Sequence, residues 1–166
     1  MENKVTGHWK KQFNYDYLGD YSLDGRSEVV VTIKALDKRI VKGDKGRSDN
    51  CLIVFFNEFD KPMILTPTRT SSIQKVAGSP QIEDWIGVRV TLYVKKGVEA
   101  YGSIVDALRI RDKKPSLTKM TKEIETAMLD SVKNGKVGQV ELAIPKYTMS
   151  KVQENGIMDA IKKAKK

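Results

Sequence analysis

The side chains in this sequence that could do chemistry are cations and aromatic rings that recur along segments with strand-like alternation. Nucleic-acid binding needs cations that neutralise phosphates and flat groups on which bases stack. The pattern therefore predicts a non-catalytic interface for single-stranded nucleic acid. The candidate residues are Lys34, Arg39, Lys42, Lys45, Arg47, Phe55, Arg89, Tyr93, Lys95, Lys96, Tyr101 and Arg109.

Alternation separates the two faces of the predicted strand at 88–94. Its valines share one face, whereas Arg89 and Tyr93 lie on the other, where they could stack on a base and contact a phosphate. The alternative is that this Tyr and Arg only cover the sheet. Phe55 and Phe56 are adjacent in an apolar strand, so they point to opposite faces and at most one of them lies in the core.

Arg109 lies in the last predicted strand, between the apolar residues Leu108 and Ile110. Two interpretations stay open for it. It contacts phosphate, or it belongs to a solvated charged face on which Asp106 is its ion-pair partner.

Enzymatic groups are scarce. His8 is the only histidine and Cys51 the only cysteine, so neither a histidine-rich metal site nor a Cys/His dyad is predicted. The glycine-containing segment 43–48 lacks the spacing of a phosphate-binding loop. The acidic residues are scattered through predicted turns, where they are expected in any case. We therefore expect no enzymatic activity, no cofactor and no metal.

The charge balance favours polyanionic partners. Lys and Arg number 30 and Asp and Glu 21, which gives a formal net charge of +9. Nucleic acid is the first expectation and an anionic membrane surface the second, while plain solubility is the alternative explanation. The lone cysteine indicates a reducing compartment, and we find neither a signal peptide nor a transmembrane stretch. The sequence thus predicts a cytoplasmic protein.

Five strands and a helix can be placed before residue 115. The predicted order is strand, strand, strand, helix, strand, strand, which is the order of an OB-type barrel. The fold class expected is mainly β with α: a five-stranded OB-type Greek-key β-barrel at 26–115, preceded by an aromatic N-terminal arm at 1–25. Residues 116–166 turn to helical periodicity and are expected to form a small C-terminal helical appendage with too few apolar residues for its own core.

Three stretches carry a resemblance to a known family. They are residues 9–11 together with 16–19, residues 84–94, and residues 105–111. They resemble small phage and prophage proteins that look OB-like and similar to single-stranded DNA-binding proteins. The resemblance implies an OB-type barrel, single-stranded DNA as partner with RNA as a second possibility, and a setting with phage replication or recombination proteins. The basic tail departs from the acidic, partner-recruiting tail of bacterial single-stranded DNA-binding proteins.

Two other functions stay open. The chain could be a protein-interaction adaptor or structural module in a phage assembly or host-takeover complex, with its basic charge incidental. A weaker option is the binding of a small anionic nucleotide. A basic groove with exposed aromatics favours the nucleic-acid binder, whereas a flat apolar patch favours the adaptor.

Overall fold

The computed structural model describes residues 9–12, 15–43, 46–100 and 102–166. The chain forms two compact units, residues 1–114 (unit 1) and residues 115–166 (unit 2). Within the described residues, no helix combines the length and the apolar character needed to cross a bilayer.

Unit 1 combines five strands with one α-helix among its described residues. The bounds are β1 Glu28–Lys42, β2 Ser48–Phe56, β3 Met63–Leu65, α1 Pro67–Ala77, β4 Arg89–Ala100 and β5 Ser103–Ile110. Short 3₁₀ helices at Trp9–Gln12 and Asp20–Leu23 precede β1, and another at Ile82–Trp85 precedes β4. The predicted element order is therefore confirmed.

The five strands form one antiparallel sheet in the order β3-β2-β1-β4-β5. Strand β1 is shared, because residues 28–32 pair with β4 whereas residues 33–42 pair with β2. Between Ile33 and Ala35 the β1–β2 register shifts by one residue, and such a bulge bends and twists a strand. No ladder joins β3 to β5 among the described residues, so a mixed fold with a five-stranded antiparallel sheet is observed, but the expected closed barrel is not.

Apolar residues of the strands build the core of unit 1. Val31, Ile53 and Leu92 are fully buried, and burial does not alternate strictly, because Val54 and Thr91 beside them are buried as well. Trp85 is also buried, and its indole Nε1 donates a hydrogen bond to the Ser79 carbonyl at 2.8 Å. Trp85 is therefore a residue of the core.

Helix α1 is capped by Thr66, whose hydroxyl accepts from the Arg69 amide at 3.5 Å. Pro67 follows at the first helical position, where its missing amide hydrogen costs nothing and its fixed φ suits a helix. Gly78 ends the helix at φ 74°, in the left-handed region that favours glycine.

Unit 2 is helical. Its bounds are β6 Thr118–Lys119, α2 Lys122–Lys133, α3 Val137–Ala143, β7 Tyr147–Thr148 and α4 Lys151–Ala164, with a 3₁₀ helix at Ile144–Lys146. The two-residue strands β6 and β7 pair in parallel. Thr121 and Ser150 cap α2 and α4 through their hydroxyls.

The expectation that unit 2 lacks its own core was wrong. Six buried residues form a core within it: Met120, Met128, Val132, Val140, Ile157 and Ile161. The apolar stripe of α2 alone is too small, and the core exists because α3, α4 and the segment before α2 each contribute one or two residues.

Candidate nucleic-acid interface

A pocket lies where α1 meets β4, β5 and the residues that follow β5. Its volume is about 600 Å³. We call it the α1–β5 pocket, and it lies entirely within unit 1. Its lining residues are Thr68, Arg69, Ser71, Ser72, Lys75, Tyr93, Lys95, Arg109, Ile110, Arg111 and Asp112.

Helical periodicity explains which residues α1 contributes. Thr68, Ser72 and Lys75 are spaced i, i+4, i+7 and therefore share one side of the helix, which borders the pocket. Ile73 and Val76 lie on another side and are buried in the core. The helix thus presents hydroxyls and an ammonium group to the pocket while its apolar side anchors it to the sheet.

Arg69 connects the two edge strands of the sheet. Its Nε and Nη2 donate to the Leu108 carbonyl in β5 at 3.1 and 2.7 Å, and its Nη1 donates to the Ile64 carbonyl in β3 at 2.7 Å. Burial, and then the positive charge of Arg109, lower the pKa of Arg69 to about 10. The guanidinium is therefore still protonated at neutral pH and adds a desolvated positive charge to one wall of the pocket.

Tyr93 carries a cation on its ring. The guanidinium carbon of Arg111 lies 4.2 Å from the ring centroid, a cation–π contact, and Arg111 Nε donates to a Glu28 carboxylate oxygen at 2.6 Å. The cation on this ring was not anticipated from the sequence, because Arg111 comes from the end of the neighbouring strand. Arg89, the predicted phosphate contact on the same face of β4, lies four residues from Tyr93, or about 13 Å along the strand.

Arg109 is paired opposite Tyr93 in the β4–β5 register. Its Nε is buried and has no hydrogen-bond partner among the described residues. The alternative ion pair of Asp106 with Arg109 is not formed, because residues three apart in a strand face opposite sides. Asp106 instead accepts from the Gly97 amide at 3.3 Å.

The pocket is strongly cationic. Five basic side chains line it, and Asp112 is the one acidic residue among the lining residues. Asp112 pairs with Lys75 at 3.4 Å, and both side chains are exposed. Since like charges that converge in a partly buried site repel one another, an anion that enters this pocket is electrostatically favoured.

A second group of candidates lies on the β1–β2 hairpin, away from this pocket. Phe56 is buried and Phe55 faces outward, which settles which of the two belongs to the core. The guanidinium of Arg39 lies 5.2 Å from the Phe55 ring centroid and its Nε donates to Asp37 at 3.0 Å. Lys34, Lys42 and Arg47 are exposed along the same hairpin.

The register separates the candidates into two groups. Strand β4 continues past the N-terminal end of β1, because Tyr93 pairs with Glu28, whereas the β1–β2 hairpin closes at the other end of β1. Tyr93, Lys95 and Arg109 are together in the pocket, whereas Lys96 is exposed on the hairpin beyond it and Arg89 pairs with Thr32 in β1. Lys45 and Tyr101 lie outside the described residues.

Sequence reasoning missed several pocket residues. They are Thr68, Arg69, Ser71, Ser72, Lys75, Ile110, Arg111 and Asp112. Arg111 carried a usable signal, since it follows Arg109 by two residues on one face of β5. The residues of α1 carried none, because periodicity does not say which strand a helix side covers.

Other chemistry is not apparent. Within the described residues there is no group of three or more His, Cys, Asp or Glu side chains placed to hold a metal ion. No family model, no curated protein and no solved structure matches the chain.

Proposed function

We propose that unit 1 is an OB-type barrel that binds single-stranded nucleic acid, DNA in the first place, without catalysis and without strong sequence preference. The observation that carries the proposal is the α1–β5 pocket. It combines the two requirements for such binding in one place: cations for phosphates and an aromatic ring for a base. A replication or recombination setting of phage type is part of the proposal.

The barrel is supported by the order of the elements. A bent first strand shared by two partners, and a helix between the third and fourth strands, are typical of OB folds. The hydrogen bonds from Arg69 to β3 and β5 connect the two strands that would have to meet for the barrel to close.

The second cationic group extends the proposed surface. In OB folds the loops after the first and fourth strands border the ligand. Here those positions are the β1–β2 hairpin, with Arg39 over Phe55, and the β4–β5 hairpin, with Lys95 and Lys96. The β1–β2 hairpin thus offers a cation over an outward-facing ring, and the β4–β5 hairpin offers two exposed lysines.

The test is fluorescence anisotropy of a labelled thirty-base oligo-dT at low and moderate salt, with duplex DNA as competitor. We expect micromolar or tighter binding that prefers the single strand and weakens with salt. Tyr93→Ala removes the ring and should weaken binding by about 1–3 kcal/mol, the contribution of one stacked base. Tyr93→Phe keeps the ring and is the matched control.

Absence of binding at low salt would overturn the proposal. The protein adaptor would then be the better hypothesis, and a pull-down would test it. Equal weakening by Tyr93→Ala and Tyr93→Phe would also contradict the stacking role, because only the first substitution removes the flat surface.

A further inference from the structure

We propose that the α1–β5 pocket receives the phosphorylated end of a strand: a terminal phosphate monoester together with its nucleotide, in preference to a phosphodiester from within a strand. This inference rests on the proposed function of unit 1 and specifies the ligand of its pocket.

The first reason is charge. Within the described residues, Arg111 is paired with Glu28 and Lys75 with Asp112, whereas Arg69, Lys95 and Arg109 have no carboxylate partner. A phosphodiester carries one negative charge, whereas a phosphate monoester carries about −1.5 to −2 near neutral pH. Three cations without a carboxylate partner in one pocket therefore favour the monoester.

The second reason is the set of unused donors. The Nε of Arg109 is buried and has no partner in the described part of the chain. Other donors that line the pocket are already in use. Arg69 donates three of its five N–H groups to strand carbonyls, and the hydroxyl of Ser72 donates to the Thr68 carbonyl at 3.1 Å. Arg109 thus lines the pocket and carries a buried charged donor without an acceptor, and a phosphate oxygen that reached its Nε would compensate the cost of that burial.

The third reason is size and stacking. A volume of about 600 Å³ lies in the range of small-ligand pockets and is large enough for one nucleotide. Arg111 already covers one face of Tyr93, so a run of bases cannot continue on both sides of this ring. A base stacked on its other face ends the run, as the last nucleotide of a strand does.

The experiment compares four twelve-base oligo-dT probes by competition anisotropy with the full chain. One has hydroxyls at both ends, one carries a 5′-phosphate, one carries a 3′-phosphate, and one is circularised and has no ends. We expect one of the two phosphorylated forms to bind about tenfold more tightly than the form with two hydroxyl ends, and the circle to bind no better than that form.

Variants test whether the preference arises in the pocket. Arg109→Met removes the unpaired donor and should abolish the difference between phosphorylated and hydroxyl ends. Lys95→Ala, at an exposed side chain whose loss the fold tolerates, should reduce it. Lys136→Ala removes an exposed cation of unit 2 and should leave the preference intact. Because the second ionisation of a phosphate monoester falls near pH 6, the preference should also decrease when the pH is lowered to about 5.

The outcomes separate the inference from the function on which it rests. Equal binding of all four probes would overturn the end-binding inference and leave the single-strand binder standing. If the preference for the phosphorylated end were unchanged in both Arg109→Met and Lys95→Ala, the end would bind elsewhere than in this pocket, and the inference would be overturned as well. No binding of any probe would overturn both proposals.

Discussion

Salt dependence gives the sharpest test of the α1–β5 pocket as a phosphate site. The perturbation is the double substitution Lys95→Ala with Arg109→Met, which removes two of the three pocket cations that have no carboxylate partner among the described residues. Arg69 remains in place, so the hydrogen bonds to β3 and β5 are kept.

The expected magnitude follows from counterion release. For single strands the slope of log K against log salt is about −0.7 for each phosphate charge neutralised, so a terminal phosphate monoester of charge about −2 on the oligo-dT probe contributes about −1.4 in the pocket. Between about 50 and 200 mM salt this contribution alone weakens binding roughly sevenfold, and the double variant, which keeps only Arg69, loses most of it. The difference in slope, at most about 1.4, is the quantity to compare, because cations elsewhere add equally to both proteins.

The assay is a salt series of anisotropy titrations with oligo-dT that carries a terminal phosphate. The control is the double substitution Lys136→Ala with Lys146→Ala, which removes two exposed cations of unit 2. An unchanged slope in the pocket variant, or the same change in the control, would refute the reasoning, since binding would then depend on general charge rather than on this pocket.

Two further predictions concern stability. Arg69→Met leaves two strand carbonyls without charged donors, which lowers the free energy of unfolding by about 3–6 kcal/mol. Removal of a desolvated guanidinium offsets part of this loss, so we expect a net decrease of about 1–3 kcal/mol by urea unfolding. A decrease no larger than that of Lys75→Met would contradict this prediction. The carboxylate of Glu58 accepts from the Thr32 amide at 2.8 Å, and burial raises the pKa of Glu58 above its ordinary value of 4.5. The stability that the Glu58 carboxyl contributes is therefore complete below pH 4.5 and is lost as the pH rises through its raised pKa. Glu58→Gln should match the parent Tm in acid and exceed it at neutral pH. A Tm difference that does not depend on pH would contradict the raised pKa of Glu58.

Side-chain alternation predicted the faces of single strands but not the assembly of the site. It correctly placed Val90 and Leu92 in the core, because neighbours in a strand point to opposite sides whatever lies around them. It did not reveal the contact of Arg111 with Tyr93, because only the pairing of β4 with β5 brings Arg111 to that ring.

The helix contributions were beyond sequence reasoning for a related reason. Periodicity groups Thr68, Ser72 and Lys75 on one side of α1, but the position of that side over β5 depends on how the helix packs. Likewise, the core of unit 2 collects residues such as Met120 and Val140 from separate segments, and no single segment shows a complete apolar pattern.

The register shift in β1 sets the phase of the whole β1–β2 hairpin. Ile33 pairs with the buried Phe56, yet Ala35, two residues later, pairs with the outward-facing Phe55, because Lys34 is an extra residue without a counterpart in β2. Strict alternation along β1, counted through Lys34 without a bulge, would place Arg39 on the same side of the sheet as Ile33, whereas the shifted register places it on the side of Phe55. Deletion of this one lysine would place Ala35 next to Ile33, just as Phe55 is next to Phe56, so the pairings and faces of the distal hairpin would be kept and the bend and twist of the bulge would be lost.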